Sequence, residues 1–346
     1  MKAKILEQLT KLGSLSHVFA LTYNVDLVFV ERWLVPALRK CGHPTLSIIA
    51  DAARLAESFS RQRHYAPRLG KRYRVAPLPL AYPAAFHPKA ILATSEARAT
   101  LFVGSGNASF GGWLDNAEVW ARYDSDNGGL GAITAFRQYA DDVTGHLVDA
   151  DAIRCELADA MAPATRAWAR EVVAPDGLVG RVGVGASLLE RITPLLGDEP
   201  VDEMIVAAPY YDAEADALRE LASRSRARKV RVLVPADGAT LTRQARERVD
   251  TLWTVESTRV LRGPRERSAF VHAKWYAFVR GDVALVLLGS ANVSRAAWTA
   301  NREAGNAELL AVRRMTRAEL ESELLGELTI ESKEPELPDQ DELEDD

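Results

Sequence analysis

Short apolar runs and amphipathic segments alternate in the same order twice along the 346-residue chain. Each series predicts a strand, a helix and a strand, at residues 18–23, 26–39 and 45–50 and at residues 204–208, 213–223 and 229–234. This order indicates an α/β fold with a mostly parallel sheet in each half of the chain.

Two more apolar runs follow in each half, and each pair predicts two further strands, at residues 89–93 and 99–103 and at residues 274–279 and 283–288. Residues 133–169 have largely helical spacing and connect the halves, and the Gly- and Pro-containing stretch after them marks a break near residue 180. We therefore expect an N-terminal half at 1–180, a C-terminal half at 181–330 and a tail at 331–346.

The composition is that of a globular protein, with 47% hydrophobic and 26% charged residues. No apolar run approaches the roughly 20 residues that a membrane helix requires, and the N-terminus has no signal-like apolar core. We expect a cytoplasmic protein that does not enter a membrane.

The net charge of −5 divides unevenly along the chain. Residues 331–346 contain nine Asp or Glu and one Lys, which leaves about +3 for residues 1–330. With two prolines and almost no apolar residue, this tail is expected to be disordered. It would act either as a solubilising end or as an acidic segment that docks a partner or occupies a basic cleft.

One motif occurs in both halves with the same spacing. A His is followed by a Lys two residues later and by Gly-Ser-x-Asn whose Asn lies 20 residues after the His, and an Asn-Ala-Glu triplet comes later. The residues are His87, Lys89, Ser105, Asn107 and Glu118 in the first copy and His272, Lys274, Ser290, Asn292 and Glu308 in the second. The repetition indicates one site built from two halves.

These residue types suit chemistry on a phosphate. A His and a Lys two positions apart on a strand point to the same face. Gly-Ser-x-Asn after a strand predicts a turn and a helix start, where Ser and Asn cap the helix and backbone N–H groups bind an anion. One His can attack phosphorus and the other can protonate the leaving oxygen, while both Lys and both Asn hold the negative charge. This inventory requires no metal and no cofactor.

Basic segments precede both copies of the motif. Arg63, Lys71 and Arg72 lie before His87, and Arg262 and Arg265 lie before His272. With aromatic residues interleaved in the first segment, they would bind a polyanionic backbone and its unpaired bases. The alternative is that both segments are solvated loops.

The duplicated motif resembles that of the phospholipase D superfamily. The resemblance implies two α/β/α sandwich halves related by a pseudo-twofold axis and a covalent phosphohistidine, with His87 as nucleophile and His272 as general acid. The family's usual Asp is replaced by Thr94 and Val279. In lacking it the chain is similar to the tyrosyl-DNA phosphodiesterase branch and to phospholipase D-like nucleases.

In that branch, residues at the positions of Glu118 and Glu308 orient the catalytic histidines, although both could instead be surface carboxylates.

The function expected from these observations is a metal-independent phosphodiesterase that cuts nucleic acid, most directly DNA, alone or in a DNA-repair or antiviral (phage-defence) complex. One alternative is a phospholipase or phospholipid transferase of the same superfamily. Another is a nucleic-acid-binding subunit that needs an ATPase or helicase partner. One chain carries both motifs, so a monomer can complete the site. A homodimer is the alternative oligomeric state.

Overall fold

The computed structural model describes residues 4–148, 151–162, 166, 168–169, 177–248, 253–262, 267–300, 305–331 and 335–340. These residues form a six-stranded and a nine-stranded sheet, one in each half of the chain.

The described residues of the first half form six strands and six α-helices. Its strands are β1 (His17–Thr22), β2 (Thr45–Asp51), β3 (Tyr73–Leu78), β4 (Ala90–Thr94), β5 (Ala99–Gly104) and β6 (Trp120–Asp124). Its helices are α1 (Ile5–Thr10), α2 (Leu27–Phe29), α3 (Val35–Arg39), α4 (Ala52–Gln62), α5 (Leu130–Gly145) and α6 (Asp151–Met161), with π-helical turns at Val30–Leu34 and Gly111–Asp115 and a 3-10 turn at Arg63–Tyr65.

The second half repeats the order with additions. Its strands are β7 (Leu178–Arg181), β8 (Glu203–Ala207), β9 (Val230–Pro235), β10 (Trp253–Arg262), β11 (Arg267–Ala269), β12 (Trp275–Arg280), β13 (Val283–Gly289), β14 (Glu308–Thr316) and β15 (Thr329–Ile330). Its helices are α7 (Leu188–Leu196), α8 (Asp216–Ser225), α9 (Arg243–Glu247), α10 (Arg295–Trp298) and α11 (Arg317–Glu323), with a 3-10 turn at Leu325–Glu327.

Both sheets have the same strand order and both are mixed. The first runs β3-β2-β1-β4-β5-β6, and the second contains the matching run β10-β9-β8-β12-β13-β14. In each, the first three strands are parallel and the next three are antiparallel to their neighbours. The expected mostly parallel sheets are therefore corrected to mixed sheets, because β4 and β12 return beside β1 and β8 in the opposite direction.

The expected boundary after residue 180 falls inside β7. This strand pairs antiparallel with β14, so the second sheet begins a few residues earlier than the break in composition suggests.

The two sheets face each other across a shared core. This core contains Leu101 and Phe136 from the first half and Val286 and Leu309 from the second, all buried. A separate core lies on the outer face of each sheet, under α2 and α3 in the first half and under α7 and α8 in the second. Because the shared core fixes one sheet against the other, loops at the ends of matching strands meet between the halves.

Part of the acidic tail is held against the second half. Glu331 pairs with Arg259, and the carbonyl of Pro338 accepts a hydrogen bond from the N–H of Arg243 (3.0 Å). Leu337 packs against the outer core of this half. The sequence predicts a disordered tail, whereas Leu337 anchors its described part by an apolar contact. Residues 332–334 and 341–346 lie outside the described residues.

The glycine that opens each Gly-Ser-x-Asn sequence allows two strands to approach closely. A Cβ on Gly104 would lie 2.3 Å from the carbonyl oxygen of Val119 and 2.5 Å from the Trp120 ring. A Cβ on Gly289 would lie 2.4 Å from the carbonyl oxygen of Leu309. Any other residue would push apart the strands that carry the motif.

We predict that Gly104→Ala lowers the free energy of unfolding by about 2 kcal/mol or more, because the added methyl group overpacks a backbone contact. Urea unfolding measures the change. Gly145→Ala is the control, since a Cβ there would meet nothing within 4 Å. Equal stability of the two variants would contradict the close approach at Gly104.

Candidate active site

The two motif segments meet where the halves touch. The N–H of His87 donates to the carbonyl of Ala307 (3.0 Å), and the N–H of His272 donates to the carbonyl of Ala117 (3.0 Å). Ala307 and Ala117 are the central residues of the two Asn-Ala-Glu triplets. Each His segment is thus bonded by its backbone to the triplet of the opposite half.

The same exchange brings the His of each motif to the carboxylate of the other half. Nδ1 of His87 lies 3.1 Å from both carboxylate oxygens of Glu308. Nδ1 of His272 lies 2.9 and 3.0 Å from those of Glu118. An ionised carboxylate only accepts, so Nδ1 of each ring carries the proton and Nε2 is left to face a substrate.

Burial and hydrogen bonding act in opposite directions on the two carboxylates. Burial alone would raise the pKa of Glu118, but His272 and the nearby Lys274 charge hold this pKa below its usual value. The pKa of Glu308 is lowered in the same way, against burial, by His87 and Lys89. Both groups therefore stay ionised and fix the ring orientations.

Ser105 and Ser290 support these carboxylates. The Ser105 hydroxyl donates to Glu118 (2.5 Å) and accepts from the N–H of Val119 (3.0 Å). Ser290 bonds Glu308 and the N–H of Leu309 in the same way. Both serines are completely buried, so this geometry favours positioning of the two carboxylates over the substrate-binding role that the Gly-Ser-x-Asn motif suggests for Ser105 and Ser290.

Both lysines are buried beside the histidines. Lys89 Nζ donates to the carbonyl of His87 (2.7 Å), and Lys274 Nζ donates to the carbonyl of His272 (2.9 Å). Burial lowers the pKa of Lys274 to about 8. Burial, and then repulsion from Lys274, lowers the pKa of Lys89 well below its usual range. A bound phosphate would relieve both effects by supplying negative charge.

The histidines are held neutral by their surroundings. Burial, with the adjacent Lys89 charge, lowers the pKa of His87 to about 4, and Glu308 only partly opposes this. Burial also lowers the pKa of His272, with Glu118 again acting in the opposite direction. A neutral ring has an Nε2 lone pair, which an attack on phosphorus requires.

The two rings differ at Nε2. Lys274 Nζ lies 2.8 Å from Nε2 of His272 and occupies that lone pair. For Nε2 of His87, no donor is found among the residues that the structure describes. This difference makes His87 the ring with the free nucleophilic atom.

The two asparagines do not cap the helices that follow them. In the described part of the chain the side-chain oxygen of Asn292 is buried without a hydrogen-bond partner, and that of Asn107 accepts from the N–H of Asn24 at 3.4 Å. The caps lie two residues later, where the hydroxyl of Ser109 accepts from the N–H of Gly112 and that of Ser294 from the N–H of Ala297. The predicted capping role of Asn therefore belongs to these serines.

Two tyrosines flank the histidines, and sequence reasoning did not assign either. The Tyr23 ring lies edge-on to His87 with centroids 4.9 Å apart, and Tyr210 lies edge-on to His272 at 5.9 Å. The ammonium groups of Lys89 and Lys274 lie over these same rings. The sequence signal is their matching position directly after β1 and shortly after β8. Sequence reasoning also did not assign Arg54, whose guanidinium lies over the Tyr23 ring.

The basic residues expected beside His87 lie elsewhere. β3 runs parallel to β2. Leu78, at the end of β3, lies opposite Asp51, at the end of the sheet where the motifs meet. Tyr73, at the start of β3, lies opposite Leu46 at the other end. Lys71 and Arg72 precede β3, so they lie at the far end of the sheet from His87. Arg63 follows α4 and lines a groove along β3. Arg265 and the side chain of Arg262 lie outside the described residues.

The chain is similar in sequence or in fold to several known proteins. Residues 198–308 match the family described as "Cardiolipin synthase, PLD-like domain". Yeast tyrosyl-DNA phosphodiesterase is 12% identical, with a TM-score of 0.55 over 88% of this chain and 84% of that one. Phosphatidylserine synthase of Haemophilus influenzae Rd KW20 is 10% identical, with a TM-score of 0.56 over 97% of this chain and 87% of that one. No curated protein sequence matches the chain.

The fold resembles that of these two solved enzymes. The match to the PLD-like domain covers His272, Lys274, Asn292 and Glu308, the second copy of the motif. Among the described residues, no helix is long and apolar enough to cross a membrane. In the same residues, no three His, Cys, Asp or Glu side chains group as a metal site would.

We predict that His87 makes the folded protein less stable in acid. Its pKa is about 4 in the folded state and about 6.5 in an unfolded chain. Between these values only the unfolded state binds this proton, so the free energy of unfolding rises with pH, by up to about 1.4 kcal/mol per pH unit.

Urea unfolding of the wild type and His87→Gln at pH 4.5 to 7.5 measures this contribution. The wild-type curve should be the steeper of the two between pH 4.5 and 6.5. Parallel curves would mean that His87 titrates normally in the folded protein.

Proposed function

We propose that this protein is a phosphodiesterase that cleaves nucleic acid, most directly DNA, through a phosphohistidine. The observation that carries the proposal is the pair of largely buried histidines, each held at Nδ1 by the carboxylate of the opposite half. Two buried ammonium groups complete the site.

In the first step Nε2 of His87 attacks phosphorus. The N–P bond forms as the bond from phosphorus to the leaving oxygen breaks, and protonated His272 gives its Nε2 proton to that oxygen. Substrate binding favours the protonated ring, because phosphate draws Lys274 Nζ away from Nε2 and Glu118 stabilises the imidazolium. Lys89, Lys274 and Asn107 hold the charge on the non-bridging oxygens.

In the second step water replaces His87. Neutral His272 accepts a proton from the water, whose oxygen attacks phosphorus while the N–P bond breaks. The electron pair returns to Nε2 of His87, and the proton on His272 restores the state needed for the next cycle. The two carboxylates keep their charge throughout and only hold the rings.

Nucleic acid is favoured by what surrounds the two histidines. The rings of Tyr23 and Tyr210 lie beside them, and Tyr210 is 37% exposed. Aromatic rings beside a cationic phosphate site suit a substrate that has bases to stack. Residues 1–330 carry a net charge of about +3, which also favours a polyanionic substrate.

One observation favours a second candidate, a phospholipid transferase or phospholipase. The family model that matches residues 198–308 carries a cardiolipin synthase description. Short-chain phosphatidylglycerol in mixed micelles tests it: His87-dependent release of headgroup or transfer of the phosphatidyl group, without DNA cleavage, would favour the lipid.

The remaining expectations stay predictions of the sequence. They are the ATPase or helicase partner, the role in DNA repair or antiviral defence and the cytoplasmic location. Pull-down with the full chain and with a chain ending at residue 330 would test whether the acidic tail binds a partner.

We predict that the wild type cleaves labelled single- or double-stranded DNA in EDTA. His87→Ala and His272→Ala should each lose at least about a hundredfold in rate, because each removes one of two cooperating proton-transfer or nucleophilic groups. Gel electrophoresis of the products measures this.

His146→Ala is the matched control, because His146 directly follows α5 and is exposed. It should cleave like the wild type. Substantial cleavage by either motif variant would contradict a shared site, and cleavage abolished by EDTA in the wild type would contradict metal independence.

A further inference from the structure

A continuous depression runs along the outer edge of the first sheet, beside β3. Its first part, which we call the β3 groove, has a volume of about 990 Å³ and is lined by one face of α4 and by β3, including Leu55, Phe59 and Val75. Its second part, the basic cavity, has a volume of about 610 Å³ at the start of β2 and β3. Gly70 and Arg74 line both, so one part opens into the other.

The β3 groove begins next to the candidate active site. Ala52, at its inner end, directly follows Asp51. The Asp51 carboxylate caps α4 and also accepts from the N–H of Phe86 (2.9 Å), the residue before His87. From there β3 leads away to the basic cavity over six residues, or about 20 Å at 3.3 Å per residue.

The β3 groove offers apolar surface to a flat ring. Phe59 is 44% exposed on the α4 face that lines it, and Leu55 lies one turn earlier. Arg63 and His64 stand at its rim. An exposed aromatic ring in a groove that also has an Arg is an arrangement on which unpaired bases stack.

The basic cavity is cationic and largely without counter-charge. Arg39, Lys71, Arg72 and Arg74 line it, and its only lining carboxylate is Glu156, which is bound by Arg74 and by the Ser47 hydroxyl. Within the described residues, no carboxylate pairs with Arg39, Lys71 or Arg72. Three unpaired cations around one cavity suit the phosphates of a polyanion.

We propose that the β3 groove and the basic cavity form the path of a single-stranded nucleic acid leaving the active site, with bases against Phe59 and phosphates on Arg39, Lys71 and Arg72. The path deepens the proposed function and rests on it. A duplex is too wide and too rigid to lay its bases on Phe59, so the path selects single strands. Lys71 and Arg72 thus contact substrate several nucleotides from the scissile phosphate.

Binding of fluorescent dT20 and of a 20-base-pair duplex tests the path by anisotropy between 50 and 300 mM NaCl. All variants carry His87→Ala, so that no cleavage occurs. Arg39→Ala/Lys71→Ala/Arg72→Ala should reduce the magnitude of the slope of log affinity against log salt for dT20 by about 2, the value for three phosphate contacts on a single strand. Phe59→Ala should weaken the binding of dT20 roughly tenfold, because it removes the ring on which one base stacks. Phe59→Tyr keeps an aromatic ring and should bind dT20 like the parent.

The charge control is Lys11→Ala/Arg137→Ala/Arg314→Ala, which removes the same charge at residues that line neither the β3 groove nor the basic cavity. It should leave the dT20 slope near that of the parent. The path would be overturned if the two triple variants gave equal salt slopes. It would also be overturned if Phe59→Ala lowered the affinity for dT20 and the affinity for the duplex by the same factor.

A second assay separates failure of the path from failure of the proposed function. With His87 intact, all path variants should hydrolyse bis(4-nitrophenyl) phosphate at the wild-type rate, since this small diester reaches only the histidines. DNA binding that is insensitive to the path variants would overturn the path and leave the nuclease standing. Absence of any DNA binding by the parent, with His87-dependent hydrolysis of the small diester, would overturn both the path and the nucleic-acid substrate.

Discussion

The hydrogen bond between each His and the carboxylate of the opposite half is the interaction on which the site depends. It fixes the ring tautomer, and it exists only when the two sheets are packed in register across their shared core. Backbone bonds from His87 to Ala307 and from His272 to Ala117 strengthen the same contact. Neither half alone could therefore orient its own His, because the carboxylate that holds each ring comes from the Asn-Ala-Glu triplet of the opposite half.

Electrostatic balance explains why so many ionisable groups tolerate burial. Glu118 and Glu308 oppose Lys89 and Lys274, so the four charges sum to zero and the rings stay neutral. The balance is imperfect, because burial still lowers the pKa of both lysines. A bound phosphodiester would place negative charge beside both lysines and offset the effect of burial on their pKa values. That gain is largest when charge accumulates on the phosphoryl oxygens.

The sequence alone predicts the strand-helix-strand order of each half and the equal His-Asn intervals, because both depend on residues that are close together in the chain. Three features of the site could not be predicted in this way. Glu118 shares a repeat with His87 yet contacts His272, which only the packing of the two halves decides. Lys71 and Arg72 precede His87 in sequence, but β3 carries them to the far end of the sheet. Tyr23 and Tyr210 were visible as matched residues, although tyrosine at a strand end is too common to single out.

The central claim, that His87 is the nucleophile of a two-half site, is tested most directly by trapping its adduct. The substrate is the 4-nitrophenyl ester of thymidine 3′-phosphate, whose leaving group needs no general acid, and the protein is His272→Asn, which cannot activate water. The account predicts a burst of about one equivalent of 4-nitrophenol per protein molecule and a phosphothymidine mass on the peptide containing His87. Turnover without a burst, or a burst with no adduct on His87, would contradict it.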